Sequence, residues 1–110
     1  MQTLSIDYPA TAPLTHPVHV GAVASGDLEI IMTAPHDGAA TGTATVALRT
    51  SVDGFDTVWR RVLDRFFAES ALLAHYEIND FGATPGMVAL RLAQALEFAR
   101  DTTNTTGGTR

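Results

Sequence analysis

Few side chains in this chain can do chemistry, and the missing ones narrow the choice first. There is no cysteine, and all seven basic residues are Arg, so there is no lysine either. Thiolate nucleophiles, disulfides, thiolate metal ligands and Schiff-base chemistry are thereby excluded. A thioester carried by such a protein needs a sulfur imported on a cofactor. Ser25 stands in Ala24-Ser25-Gly26-Asp27 between two strand-like runs, where Gly-Asp signals a hairpin of the II′ kind. The hydroxyl is then expected at the tip of a tight turn, in solvent. On residue type alone, a serine before Gly-Asp is turn chemistry. Asp27 and Glu29, two apart, are expected to share one face of a strand. They have no His, nucleophile or second carboxylate cluster to work with as an acid–base pair. They read as a solvated face or, more sharply, as an acidic patch beside Ser25 that a partner enzyme recognises.

Other candidates are weaker. His16 and His19 are close in sequence, but their stretch is proline-rich and no H-E-x-x-H or similar set accompanies them, so the four histidines read as scattered surface residues. Phe81-Gly82-Ala83-Thr84-Pro85-Gly86 could open a helix as an anion-binding loop does. It lacks the G-x-G-x-x-G and Walker patterns, which leaves a structural cap. The stripe of Trp59 and phenylalanines keeps clean helical spacing and reads as core.

The length of 110 residues suits one domain, and an apolar fraction of 45% is ordinary for a globular protein. No apolar run approaches the length that crosses a bilayer, and the start, Met1-Gln2-Thr3-Leu4, does not have the form of a secretory signal, so a cytoplasmic protein is expected. A net charge of -5 without Lys clusters argues against duplex nucleic acid or direct membrane contact and suits docking onto more basic protein surfaces.

The elements that must position Ser25 follow from periodicity. Residues 9–17 form an extended proline-rich approach. Alternation from Val18 to Val23, and then Leu28 to Thr33, predicts two strands. A loop rich in Gly, Ala and Thr (35–42) leads to a third, Thr43 to about Val52, with Val46, Leu48, Thr50 and Val52 on one face. Phe55, Val58, Trp59, Val62, Leu63, Phe66 and Phe67 recur at helical spacing. A fourth strand, Leu72 to Phe81, puts Leu72, Ala74, Tyr76 and Ile78 on one face. Thr84 caps a second helix with Pro85 at its first position, running to about Arg100 and burying Val88, Leu92, Ala95, Leu96 and Ala99. The expected fold is α+β: a small single-domain mixed sheet of about four strands with two helices on one face (β-β-β-α-β-α), the third strand, first helix and fourth strand forming a right-handed crossover. The domain spans 1–100, and the Thr-rich tail 101–110 is expected to be disordered.

Gly21-Ala22-Val23-Ala24-Ser25-Gly26-Asp27-Leu28-Glu29 resembles the modification-site segment of malonate decarboxylase acyl carrier proteins, the delta subunit. Arg49-Thr50-Ser51-Val52-Asp53-Gly54-Phe55 and Asp80-Phe81-Gly82-Ala83-Thr84-Pro85-Gly86-Met87-Val88 resemble two further segments of that family. The opening Met1 to Leu4 and the stretch from Arg91-Leu92 also fit, so the resemblance covers about residues 1 to 100. It implies a non-catalytic carrier whose Ser25 hydroxyl forms a phosphodiester with 2'-(5''-phosphoribosyl)-3'-dephospho-CoA, attached by a dedicated transferase from a triphosphoribosyl precursor. It also implies a cycle in which an acyltransferase subunit exchanges bound acetyl for malonyl, and a decarboxylase subunit regenerates the acetyl thioester. Gly26, Asp27 and Glu29 would be read by these partners. The carrier of citrate lyase is a more distant resemblance, and an unmodified small binding or regulatory module is the alternative of another class. The pattern of a fatty-acid-type carrier, four helices with Asp-Ser-Leu at a helix start, is absent.

Overall fold

Alternating burial along each long strand turns one face of a sheet inward and leaves the other polar. In a computed structural model, which describes residues 2–35, 42–69 and 72–100, the strands are β1 (Gln2–Pro9), β2 (Ala12–Pro13), β3 (Val18–Gly21), β4 (Leu28–Thr33), β5 (Thr43–Thr50), β6 (Leu72–Leu73) and β7 (His75–Asp80). The helices are α1 (Asp56–Glu69) and α2 (Pro85–Arg100). Five strands form one mixed sheet in the order β1-β5-β7-β4-β3, and β2 with β6 makes a small parallel ladder. β5 and β7 pair in parallel, joined through α1, and the remaining pairs of the large sheet are antiparallel. The α+β class expected from the sequence is what the structure has.

Register lines up the inward residues across the sheet. Leu4 faces Leu48, Leu48 faces Ile78, and Ile78 faces Ile30, which in turn faces Val20. Leu28, Ile30, Met32, Val46, Leu48, Tyr76 and Ile78 are all buried on that side. Trp59, Leu63 and Phe67 of α1 and Val88, Leu92, Ala95 and Ala99 of α2 join them in one core. Buried apolar area of this kind supplies the main driving force for folding. Thr84 caps α2 as its sequence predicts: its Oγ1 accepts from the Met87 amide at 3.1 Å, and its carbonyl accepts from Val88.

Several boundaries differ from the sequence reading. The sheet has a fifth strand, β1, whose Tyr8 stacks on Phe67 with ring centroids 4.3 Å apart and donates to Asp64 at 2.6 Å. The third strand stops at Thr50, because the Thr50 hydroxyl and the Val52 amide close a local turn at 3.1 Å. Phe55 lies just before α1 and is half exposed. The fourth strand breaks at Ala74 into β6 and β7, since Leu72 and Leu73 pair with the proline-bearing β2 and not with the large sheet. The tail 101–110 and most of the Gly-rich loop lie outside the described residues.

Candidate attachment site

Ser25 lies on the six-residue connection from Ala22 to Asp27, between β3 and β4. Gly21 begins it with φ at +86°, which only glycine can hold here: a Cβ would lie 1.9 Å from the Leu28 carbonyl oxygen. The Asp27 amide donates to the Ala24 carbonyl at 3.0 Å and closes a β-turn with Ser25 and Gly26 at its centre. Gly26 has φ at +81°. Positive φ at the second central residue is the type II arrangement, so the expected II′ hairpin is corrected. A II′ turn would need the glycine one place earlier, where Ser25 stands.

The Ser25 side chain is exposed and makes no hydrogen bond to another described residue. The backbone beneath it is held firmly. The Gly26 amide donates to the Phe81 carbonyl at 2.8 Å, and the Phe81 amide donates to the Asp27 carbonyl at 2.9 Å. These two bonds latch the turn to the end of β7.

Asp27 and Glu29 do not share a face. Asp27 precedes β4, and its carboxylate accepts from Arg91 of α2 through both oxygens and from the Leu28 amide at 2.7 Å. Arg91 also donates to Gln94 at 2.9 Å. Hydrogen bonding from the Arg91 guanidinium, and next from the Leu28 amide, holds the Asp27 carboxyl below its ordinary value. Glu29 turns to the open face of the sheet, accepting from Asn79 at 3.0 Å and meeting the His19 ring at 2.8 Å. Asn79, then His19, lowers its pKa in turn. His16 points elsewhere, to the Phe98 carbonyl at 2.9 Å. Among the described residues no group of three His, Asp or Glu side chains could hold a metal ion.

The three separated segments singled out in the sequence converge at this end of the sheet. Besides the Gly26–Phe81 latch, the buried Thr50 hydroxyl donates to the buried Asp80 carboxylate at 2.8 Å. The other Asp80 oxygen accepts from the Ala83 amide at 3.0 Å, and the Ser51 amide donates to the Asp80 carbonyl. Asp80 and Arg91 therefore organise the site without touching Ser25. The sequence carries both within segments of the family pattern, but gives no sign of their partners.

Between the starts of α1 and α2 lies a cavity of about 350 Å³, lined among others by Val52, Phe55, Trp59, Asp80, Gly82 and Val88. Gly82, which lines this cavity, also lies near the Ser25 turn: a Cβ on it would come 3.9 Å from the Gly26 nitrogen. None of the described helices is long and apolar enough to cross a membrane.

Comparison with known proteins is consistent along nearly the whole chain. The family model of the malonate decarboxylase delta subunit matches residues 15–99. The malonate decarboxylase acyl carrier protein of Pseudomonas aeruginosa (strain UCBPP-PA14) is 45% identical over 100 residues, covering 90% of this chain and 97% of that one. The acyl carrier protein of the same enzyme from Azotobacter vinelandii (strain DJ / ATCC BAA-1303) is 43% identical over 98 residues, covering 88% and 95%. Among solved structures, a chain of a Pseudomonas malonate decarboxylase hetero-tetramer crystallised with malonate superimposes with a TM-score of 0.82 at 37% identity, covering 90% of this chain and 99% of that one.

Proposed function

The chain belongs to the malonate decarboxylase delta-subunit family, and from that premise we propose that this acyl carrier subunit takes its prosthetic group, phosphoribosyl-dephospho-coenzyme A, on Ser25. The observation that carries the reading is an exposed serine hydroxyl with no hydrogen-bond partner among the described residues, on a turn whose backbone is latched to Phe81 through Gly26 and Asp27. A modifying transferase can approach such a hydroxyl without unfolding anything. A Cβ on Gly26 would meet nothing within 4 Å, so the space beside the turn is open to a phosphodiester and the ribose beyond it. When bound, the group supplies the thiol that the Cys-free chain lacks, and on it the acetyl and malonyl thioesters ride.

The residues of this chain hold and present that arm and do no bond-making in the decarboxylation. Tethering keeps the acyl group at an effective concentration on the order of millimolar at each active site it visits. The partners we assign are the acyltransferase and decarboxylase subunits of the same enzyme, together with the prosthetic-group transferase. Recognition falls to the shape of the turn, set by Gly26 and the clasped Asp27, and to the charge of Glu29 on the open face.

The test is intact mass of protein from its native host, with peptide mapping, for the wild type and Ser25→Ala. The expected result is one added phosphoribosyl-dephospho-coenzyme A on the Ser25 peptide, absent in the variant, whose fold is unchanged because Ser25 bonds to no described residue. An unmodified chain within an active decarboxylase complex would refute the reading.

A further inference from the structure

We infer that the cavity between the starts of α1 and α2 is a base pocket, which receives the adenine ring of the arm carried on Ser25 and fixes the root of that arm. This rests on the attachment proposed above. The pocket's place in the fold is the first argument. It borders Gly82, the residue after Phe81, and Phe81 is the residue to which the Ser25 turn is latched. Any side chain at Gly82 would stand within 3.9 Å of the Gly26 nitrogen and narrow the ground between turn and pocket.

The lining is the second argument. The half-exposed Phe55 offers an aromatic face, the largely buried Trp59 forms part of the wall, and Val52 and Val88 add aliphatic surface. Asp80 is the one acidic residue among the described residues that line the pocket. Each Asp80 oxygen already accepts one bond, from Thr50 or from Ala83, and each keeps a lone pair for another donor. Flat, aromatic and bearing an exocyclic N–H₂ donor, adenine matches that set. The volume of about 350 Å³ falls within the range of small-molecule sites.

The connectivity of the arm decides which part of it fits. Starting from the serine oxygen, the chain of atoms runs through phosphate and ribose to adenosine, and only later to the pantetheine thiol. The base is the first large group within reach of a neighbouring pocket. Burying the thioester would oppose its transfer to two other active sites, whereas burying the base leaves the thiol end free. A weak site is sufficient, because a ligand tethered at millimolar effective concentration occupies a site of millimolar affinity for much of the time.

Trp59 is the only tryptophan of the chain and lines the pocket from the core, so all tryptophan emission comes from its wall. The experiment titrates adenosine and, separately, pantethine into the unmodified chain. Adenosine is expected to change Trp59 emission saturably and pantethine to leave it unchanged. Ala83→Leu, which grows into the cavity, should abolish the adenosine response. Phe55→Ala, at a half-exposed position that the fold tolerates, should weaken it about tenfold, the loss of one base–aromatic stack. On the arm-loaded chain, the emission should already be partly displaced, and the response to added adenosine should be smaller and require a higher concentration than on the unmodified chain. The inference is overturned if adenosine gives no saturable response, if pantethine alone gives one, if both variants respond as the wild type, or if the loaded chain binds adenosine just as the unmodified chain does. Intact mass, read in parallel, reports separately on whether Ser25 carries the arm.

Discussion

Arg91 clasps Asp27 with two parallel bonds, Nε to Oδ1 at 3.0 Å and Nη2 to Oδ2 at 2.6 Å. A guanidinium fork meets both oxygens of a carboxylate where an ammonium meets one point. The clasp fixes the residue two places past Ser25 to a helix, so the turn is stiffened from outside the sheet. Arg91→Ala, and to a lesser degree Arg91→Lys, should speed amide hydrogen exchange at Gly26 and Asp27 while leaving the β5 and β7 amides protected. Exchange measured by NMR checks this, and unchanged protection at Gly26 in both variants would contradict it.

The pH dependence has a definite sign. Asp27 and Glu29 sit below their ordinary values of 3.8 and 4.5 in the folded chain. A lowered carboxylate stabilises the fold fully above its unfolded value and ceases to do so as pH falls through the folded one. The contribution of the two is therefore complete at neutral pH and is lost on acidification below about 4.5. Urea midpoints measured from pH 7 downward should fall in that acid window, and Asp27→Asn should flatten part of the decline.

Thr50 and Asp80 form a buried polar pair in an otherwise apolar layer. Thr50→Val keeps the shape and removes the hydroxyl, leaving one Asp80 carboxylate oxygen and the Val52 amide each short of a partner. The cost is expected at about 1–3 kcal/mol, measured by chemical denaturation. Thr50→Ser, which keeps the hydroxyl, should recover most of it.

Two glycines near Ser25 should behave differently. Gly26→Ala meets no atom and suffers only the backbone cost of positive φ, about 1–2 kcal/mol. Gly21→Ala has the same strain and also drives a Cβ into the Leu28 carbonyl, so its loss should be at least about twice as large. Thermal melts of the two variants compare them directly.

Both helices are legible in the sequence because their signals are local. Thr84-Pro85 sets the start of α2, and the spacing of Val88, Leu92, Ala95 and Ala99 sets its buried face. The Ser25 turn is legible as a turn, since Gly26 supplies positive φ. Its type is not, because that depends on where the flanking strands part, and Gly21 parts them early. β1 carries alternation in Leu4, Ile6 and Tyr8, but it is an edge strand whose partner, β5, lies far along the chain. Asp27 reads as a free acid because Arg91 is 64 positions away, and no local pattern announces a contact at that distance.

The strand order has a consequence in time. Among the described strands of the large sheet, only β3 and β4 are neighbours in space joined by a short turn; β5 and β7, also consecutive in this sheet, pair only across the α1 crossover. Every other pairing must close a long loop first, and sheets dominated by such pairings assemble slowly. The β3–β4 hairpin can form early, yet its tip is fastened to Phe81, which arrives only with β7. The rigid display of Ser25 is thus among the last features the folding chain acquires. On the attachment proposed for Ser25, a transferase that recognises that display would load finished chains and pass over unfinished ones, so cofactor attachment would double as a checkpoint on folding.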